Sequence, residues 1–135
     1  MKLSDIGEFG LIRRIYKQPK DKNIIKGMGD DCAVVKVGGK TLVITTDTLV
    51  DGDHFSLEYF IARQVGKKAI EINVSDIGSM GGIPKYALVS LVLPKELDVS
   101  VIDEIYKGMR EVGNRYKVEI IGGNITHGKQ LVIDI

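Results

Sequence analysis

Apolar residues recur at near-helical spacing early in the chain, where Ile6, Phe9, Ile12 and Ile15 predict a helix over residues 4–16. Residues 18–29 are polar, lysine-rich and without period, and read as a loop. Two short β-branched runs, 32–37 and 41–46, flank Gly38 and Gly39. Paired glycines supply the positive φ angles of a tight turn, so this stretch predicts a β-hairpin. A loop rich in Asp and Gly covers 47–56. A long helix follows over 58–80, in which Ala62, Val65, Ala69, Ile72 and Asp76 fall at spacings of three and four. Residues 86–93 are almost wholly apolar and predict a central strand buried on both faces, ended by Pro94. Ser100 and Asp103 form a variant capping box for a helix whose inner face carries Val101, Ile105, Met109, Val112 and Tyr116. Runs 118–121 and 130–135 predict the last two strands, joined by a glycine-rich turn.

The order α-ββ-α-β-α-ββ describes an α+β domain, a mixed sheet of four to five strands with helices packed on one face. At 135 residues, with 44% hydrophobic and 27% charged positions, the chain has the length and composition of one globular domain, 1–135. A net charge of +1 gives no basic footprint for nucleic acid and no attraction to an anionic membrane. No apolar run approaches the length of a bilayer span, and no signal peptide is visible, so a cytoplasmic location is expected. The single cysteine, Cys32, excludes an internal disulfide and reads as a small core filler. Run 131–135 is an apolar strand at the end of the chain and calls for a pairing partner, such as a second subunit.

Chemistry concentrates in acidic clusters set beside small residues and hydroxyls: Gly29-Asp30-Asp31, Thr45-Thr46-Asp47-Thr48, and Asn73-Val74-Ser75-Asp76. Carboxylates gathered near a core repel one another and lose hydration, so they call for cations. Oxygen donors without a matching Cys or His cluster suit magnesium, and magnesium on several carboxylates points to phosphates. Each cluster has a plainer reading. Gly-Asp turns are common, Thr45-Thr46-Asp47 can be an Asp-initiated turn after a strand, and Asp76 can lie on a helix end open to solvent. Asp76 nevertheless continues the apolar face of its helix, with Asn73 beside it at i−3. His54, within Asp51-Gly52-Asp53-His54-Phe55, fits no standard metal spacing and reads as a substrate-binding or locally bonded loop residue. Gly122-Gly123-Asn124 reads mainly as a hairpin turn, and alternatively as a backbone site for phosphate.

Taken in order, Gly7-Glu8-Phe9, Gly29-Asp30-Asp31-Cys32-Ala33, Thr45-Thr46-Asp47-Thr48 with His54-Phe55, Asn73 to Asp76 with Met80-Gly81-Gly82 and Pro84, and Gly122-Gly123 resemble the N-terminal domain of thiamine-monophosphate kinases. These belong to an ATP-using superfamily with aminoimidazole ribonucleotide synthetase, selenophosphate synthetase and a hydrogenase maturation factor. The resemblance implies magnesium-dependent transfer of phosphate from ATP to thiamine phosphate, giving thiamine diphosphate. It implies magnesium ligation by Asp30, Thr45, Thr46, Asp47, Asp76 and Asn124, a thiamine phosphate contact at His54, and ATP contacts at Gly123 and Asn124. It also implies a homodimer that joins its sheets into a shared β-barrel.

Two departures stand out. Asn124 and Ile125 replace the Asp-Thr pair usual in the family, which removes one anionic ligand. The family's C-terminal domain is absent from these 135 residues, which leaves room for a separately encoded partner. The alternatives are a non-catalytic dimeric nucleotide- or phosphate-binding module, and another branch of the superfamily, in purine synthesis or hydrogenase maturation.

Overall fold

A computed structural model describes every residue from Met1 to Ile135, and the chain divides into two compact units, Met1–Thr45 and Thr46–Ile135. In the first unit one turn of 3-10 helix, Leu3–Asp5, leads into α1, Gly7–Ile15. The predicted 4–16 helix is therefore broken once, at Gly7, which takes φ 61°. Strands β1 (Ile24–Lys26), β2 (Ala33–Val37) and β3 (Lys40–Ile44) form an antiparallel sheet in that order. The β2–β3 hairpin closes through Gly38 and Gly39 at φ 54° and 78°, as their pairing in the sequence predicts. Strand β1 lies in the stretch expected to be loop. Three residues are too few to show a period, and pairing with β2 decides their conformation. Cys32 is buried, as a small apolar filler should be.

The second unit contains β4 (Thr48–Val50), α2 (Ala62–Ser79), β5 (Tyr86–Leu93), α3 (Val99–Tyr116), β6 (Glu119–His127) and β7 (Val132–Asp134). The sheet order is β4-β7-β5-β6, with β6 parallel to β5 and β7 antiparallel to both its neighbours. The mixed sheet is thus as expected, but three details differ. Strand β7 lies between β4 and β5, so its hydrogen-bonding edges are filled by its own chain and need no second subunit. The glycine-rich segment is not a turn, because β6 runs through it, pairing Gly122, Gly123 and Asn124 with Leu88, Val89 and Ser90. At Gly123, φ 154°, a Cβ would fall 1.8 Å from the Val89 carbonyl oxygen, so only glycine lets β6 run beside β5 here. Finally, β5 buries one face only: Ala87, Val89 and Leu91 point into the core, while Tyr86 and Leu88 stay 70% and 60% exposed.

Both long helices cover the buried face. Val65, Ala69 and Ile70 from α2 join Ile105, Met109 and Val112 from α3, with Leu49, Val89, Leu91, Leu131 and Ile133 from the sheet, in one core. Helices α2 and α3 meet backbone to backbone. A Cβ on Gly66 would lie 1.9 Å from the Ile105 carbonyl oxygen, and one on Gly108 would lie 2.0 Å from that of Arg63.

Helix α2 starts at Ala62 rather than residue 58, because 56–60 form turns closed by Tyr59 and Phe60 N–H groups on the Ser56 carbonyl. It ends in a Schellman motif: the Gly82 and Gly81 N–H groups reach Ile77 and Gly78 carbonyls, both at 2.9 Å, with Gly81 at φ 71°. Helix α3 is capped by Asp98, whose carboxylate accepts the Ser100 N–H at 2.8 Å, in place of the predicted box at Ser100. No helix is long and apolar enough to cross a membrane.

The glycine contact yields a direct expectation. Gly66→Ala should destabilise the fold by about 2–3 kcal/mol, because a methyl group placed against a backbone carbonyl forces the helices apart. A urea melt with an unchanged midpoint would show that the helices can part freely.

Candidate functional site

The site in the second unit is built at the junction of β4, β7 and the C-terminal end of α2. Strand β4 pairs with β7 so that Thr48 stands opposite Asp134. Asp47, just before β4, extends this ladder: its N–H donates to the Ile135 carbonyl at 3.0 Å, and the Ile135 N–H returns the bond at 3.1 Å. Two more bonds converge on β7, where the Thr46 and Thr48 hydroxyls donate to Asp134 Oδ1 at 2.8 and 3.2 Å.

Asp76 enters from the last turn of α2, and its carboxyl group shares a hydrogen bond with that of Asp47. Burial pushes the Asp47 carboxyl above the ordinary range, the bond to Asp76 adds to this, and the charges of Asp76 and Asp134 push further; His54 opposes them. Two carboxylates in contact need a proton or a cation between them. Asp76 also lies near the negative end of the α2 dipole, where a second positive charge is favoured. This donor set consists of hard oxygens carrying excess negative charge, and it fits a magnesium ion. No three His, Cys, Asp or Glu side chains close into a cluster that could hold a metal, so the second unit presents an open carboxylate pair.

His54 sits on a loop held by the Asp51 carboxylate, which accepts the Leu57 N–H at 3.3 Å, and by Phe55, buried in the core. His54 Nδ1 accepts the Val50 N–H at 3.2 Å, which places the proton of the neutral ring on Nε2. Lys68 Nζ donates to the His54 carbonyl at 2.8 Å. Gly123 and Asn124 lie on β6, opposite Val89 and Ser90, and Asn124 is exposed.

The remaining candidates, Asp30 and Thr45, belong to the first unit. Lys26 Nζ lies 2.6 Å from Asp30 Oδ2, and this bond, followed by the Asp31 N–H and the Lys26 charge, holds the Asp30 carboxyl below its ordinary value. The Thr45 hydroxyl donates to the Asp31 carbonyl at 3.1 Å.

Sequence reasoning passed over Asp134 and ranked Asn73 below Asp76. Asp134 is a lone acid in an apolar strand, and that interruption was its only signal. Asn73, rather than Asp76, is the buried polar residue of α2; Asp76 is half-buried. Asn73 Nδ2 donates to the Ala69 carbonyl at 3.0 Å, while its buried Oδ1 has no hydrogen-bond partner. An orphan of this kind costs about 1–3 kcal/mol.

Comparison with known proteins places these residues in a wider frame. Residues 29–135 match the family model of AIR synthase related protein, N-terminal domain. Over 135 residues, all of this chain, the sequence is 44% identical to the thiamine-monophosphate kinase of Aquifex aeolicus, covering 42% of that protein. It is 37% identical over 131 residues to the thiamine-monophosphate kinase of Bacillus subtilis, covering 95% of this chain and 40% of the relative. The solved structure of AaThiL complexed with AMPPCP and TMP superposes with a TM-score of 0.89 at 44% identity, over 99% of this chain and 42% of that one. The chain thus spans about two fifths of the length of the curated relatives it matches.

The carboxylate pair sets a pH dependence. Asp47 titrates higher in the folded protein than in the unfolded chain, so the folded state holds the extra proton and loses stability as pH rises from about 3.9 toward the raised folded value. In chelator, Asp47→Asn should therefore raise the melting temperature at pH 7 and flatten this slope. An unchanged slope in thermal melts across pH 4 to 7 would contradict the strained pair.

Proposed function

Because the chain belongs to the AIR synthase related proteins, as their N-terminal domain, we propose that it supplies the cation- and nucleotide-binding half of a thiamine-monophosphate kinase. The reaction moves the terminal phosphoryl group of ATP to the phosphate of thiamine phosphate, giving ADP and thiamine diphosphate. The observation that carries this reading is the whole-chain similarity to a thiamine-monophosphate kinase at 44% identity, together with AaThiL complexed with AMPPCP and TMP as a close structural match. AMPPCP is an analogue of ATP. Since the chain spans 42% of such a relative, turnover is proposed for a protein in which this domain works with the remaining part of that machinery.

Asp47 and Asp76 would hold magnesium, with the Thr46 oxygen beside them and Asn124 as a further oxygen donor; Asp30 and Thr45, in the first unit, are oxygen donors that the family resemblance alone implies. Bound there, magnesium supplies charge neutralisation for the transferring phosphoryl group. The chain's own residues position and bind. His54, with its proton on Nε2, offers a donor to the phosphate of the acceptor. Gly123 and Asn124 on β6 would contact the nucleotide, Asn124 through its side-chain amide. The attacking phosphate oxygen is already an anion at neutral pH, so the transfer needs no general base. This fits a site that contains no Ser–His or Cys–His pairing.

A homodimer is part of the same proposal. Tyr86, Leu88, Ile121 and Ile125 leave apolar side chains exposed in the strand pair β5–β6, and contiguous exposed apolar surface on a sheet is commonly an association face. Light scattering should report a dimer at micromolar concentrations, and a monomer throughout that range would defeat the assignment.

Titration calorimetry with Mg·ATP tests the site. Binding should be weak for this chain, reduced at least about tenfold by Asp47→Ala, and reduced less by Asp76→Ala. Unchanged affinity in both variants would remove these two residues from the site.

A further inference from the structure

A threonine hydroxyl has one proton and two lone pairs, and it can turn about its Cβ–Oγ bond. To ligate a cation it must direct a lone pair at the metal and its proton elsewhere. Thr46 is fixed in this way: its hydroxyl proton goes to Asp134 Oδ1 at 2.8 Å. The acceptor is itself held in register. Asp134 pairs with Thr48 across β4–β7, and the Thr48 hydroxyl donates to the same oxygen at 3.2 Å. The backbone of Asp47 and Ile135 zips the next position with two bonds, at 3.0 and 3.1 Å. Asp134 is half-buried and sits in an otherwise apolar strand, flanked by Ile133 and Ile135. Nothing in strand packing requires a carboxylate at this position. Its neighbour Ile133 already fills the core, fully buried.

From this geometry we infer that Asp134 is a positioning residue for the cation site, orienting the Thr46 hydroxyl so that its oxygen lone pairs are presented to the ion held by Asp47 and Asp76. The inference rests on the magnesium reading given above and extends it to a residue one strand away. A charged acceptor also enriches the threonine oxygen in electron density, which strengthens it as a ligand, as carboxylates behind metal ligands commonly do. The role differs from direct ligation, since Asp134 acts through the hydroxyl. It also differs from a bare charge effect, since a neutral acceptor of the same shape retains part of it.

Manganese, which takes the same oxygen ligands as magnesium, provides a readout independent of turnover. Free Mn²⁺ is followed by its electron paramagnetic resonance signal as the chain is titrated. Asp134→Ala should weaken Mn²⁺ binding about tenfold. Asp134→Asn is equally neutral but keeps an acceptor oxygen, and should bind at least about threefold more tightly than Asp134→Ala. That difference should vanish in a Thr46→Val background, where no hydroxyl remains to orient. Equal affinity of the Asn and Ala variants would mean that only charge matters, and would overturn the inference. So would wild-type affinity in Asp134→Ala, or a difference between the two variants that persists in the Thr46→Val background. Absence of Mn²⁺ binding by the wild-type chain would instead defeat the magnesium reading itself, and this inference with it.

Discussion

The second unit depends on the close approach of α2 and α3 at two glycines. Gly66 faces the Ile105 carbonyl and Gly108 faces that of Arg63 at distances that exclude even a methyl group. Backbone contact at this crossing sets how α2 lies against its neighbour, and Val65, Ala69 and Ile70 then share one core with the β5 and β7 side chains. Where α2 ends is set locally: the Schellman turn at Gly81 stops the helix one turn after Asp76, whose carboxyl group meets Asp47 just before β4. Surface ion pairs such as Lys67 with Glu111 and Arg115 with Glu71 bridge the same two helices, but exposed pairs add little to what the glycine contact fixes.

Against that rigid frame, the candidate site breaks several local rules at once. Asp47 and Asp76 share a hydrogen bond although both are acids, and Asp134 adds a third negative charge nearby. Asp76 occupies the wrong end of a helix dipole for an anion. One turn earlier, Asn73 keeps a buried carbonyl oxygen without a partner. Each of these weakens the isolated fold, and no packing gain offsets them. Violations gathered in one place, around an otherwise well-filled core, mark a candidate functional site, and they are what motivates the cation reading proposed above.

Elements that carry their own local instruction were legible in the sequence. Gly38-Gly39 between two β-branched runs admits one compact solution, a hairpin, and the structure adopts it. Helix α3 has enough turns for its apolar spacing to stand out, and Ile105, Met109 and Val112 are buried as that spacing requires. Strands β1 and β4 were harder, because each has three residues, lies in a stretch that reads as loop, and draws its identity from pairing, β1 with β2 and β4 with β7. The Gly122–Asn124 segment misled for another reason. Glycine marks turns, but it also marks places where two backbones press together, and only the neighbouring strand shows which of the two applies.

The sequence by itself determined the make-up of the candidate site: acids beside hydroxyls, hard oxygens with no soft ligands, in an order that resembles one family. It also determined the α+β class through the periods of its longer elements. Tertiary structure alone decided the partnerships. It paired Asp47 with Asp76 across 29 positions of chain and brought Asp134 to the Thr46 hydroxyl across 88. It placed β7 inside the sheet rather than at a free edge, and it left one face of β5 open. Spacing along the chain reports only neighbours within a turn or a strand. Contacts between remote residues arise when burial of the shared core selects one register among many, and that selection is made by packing of the whole unit.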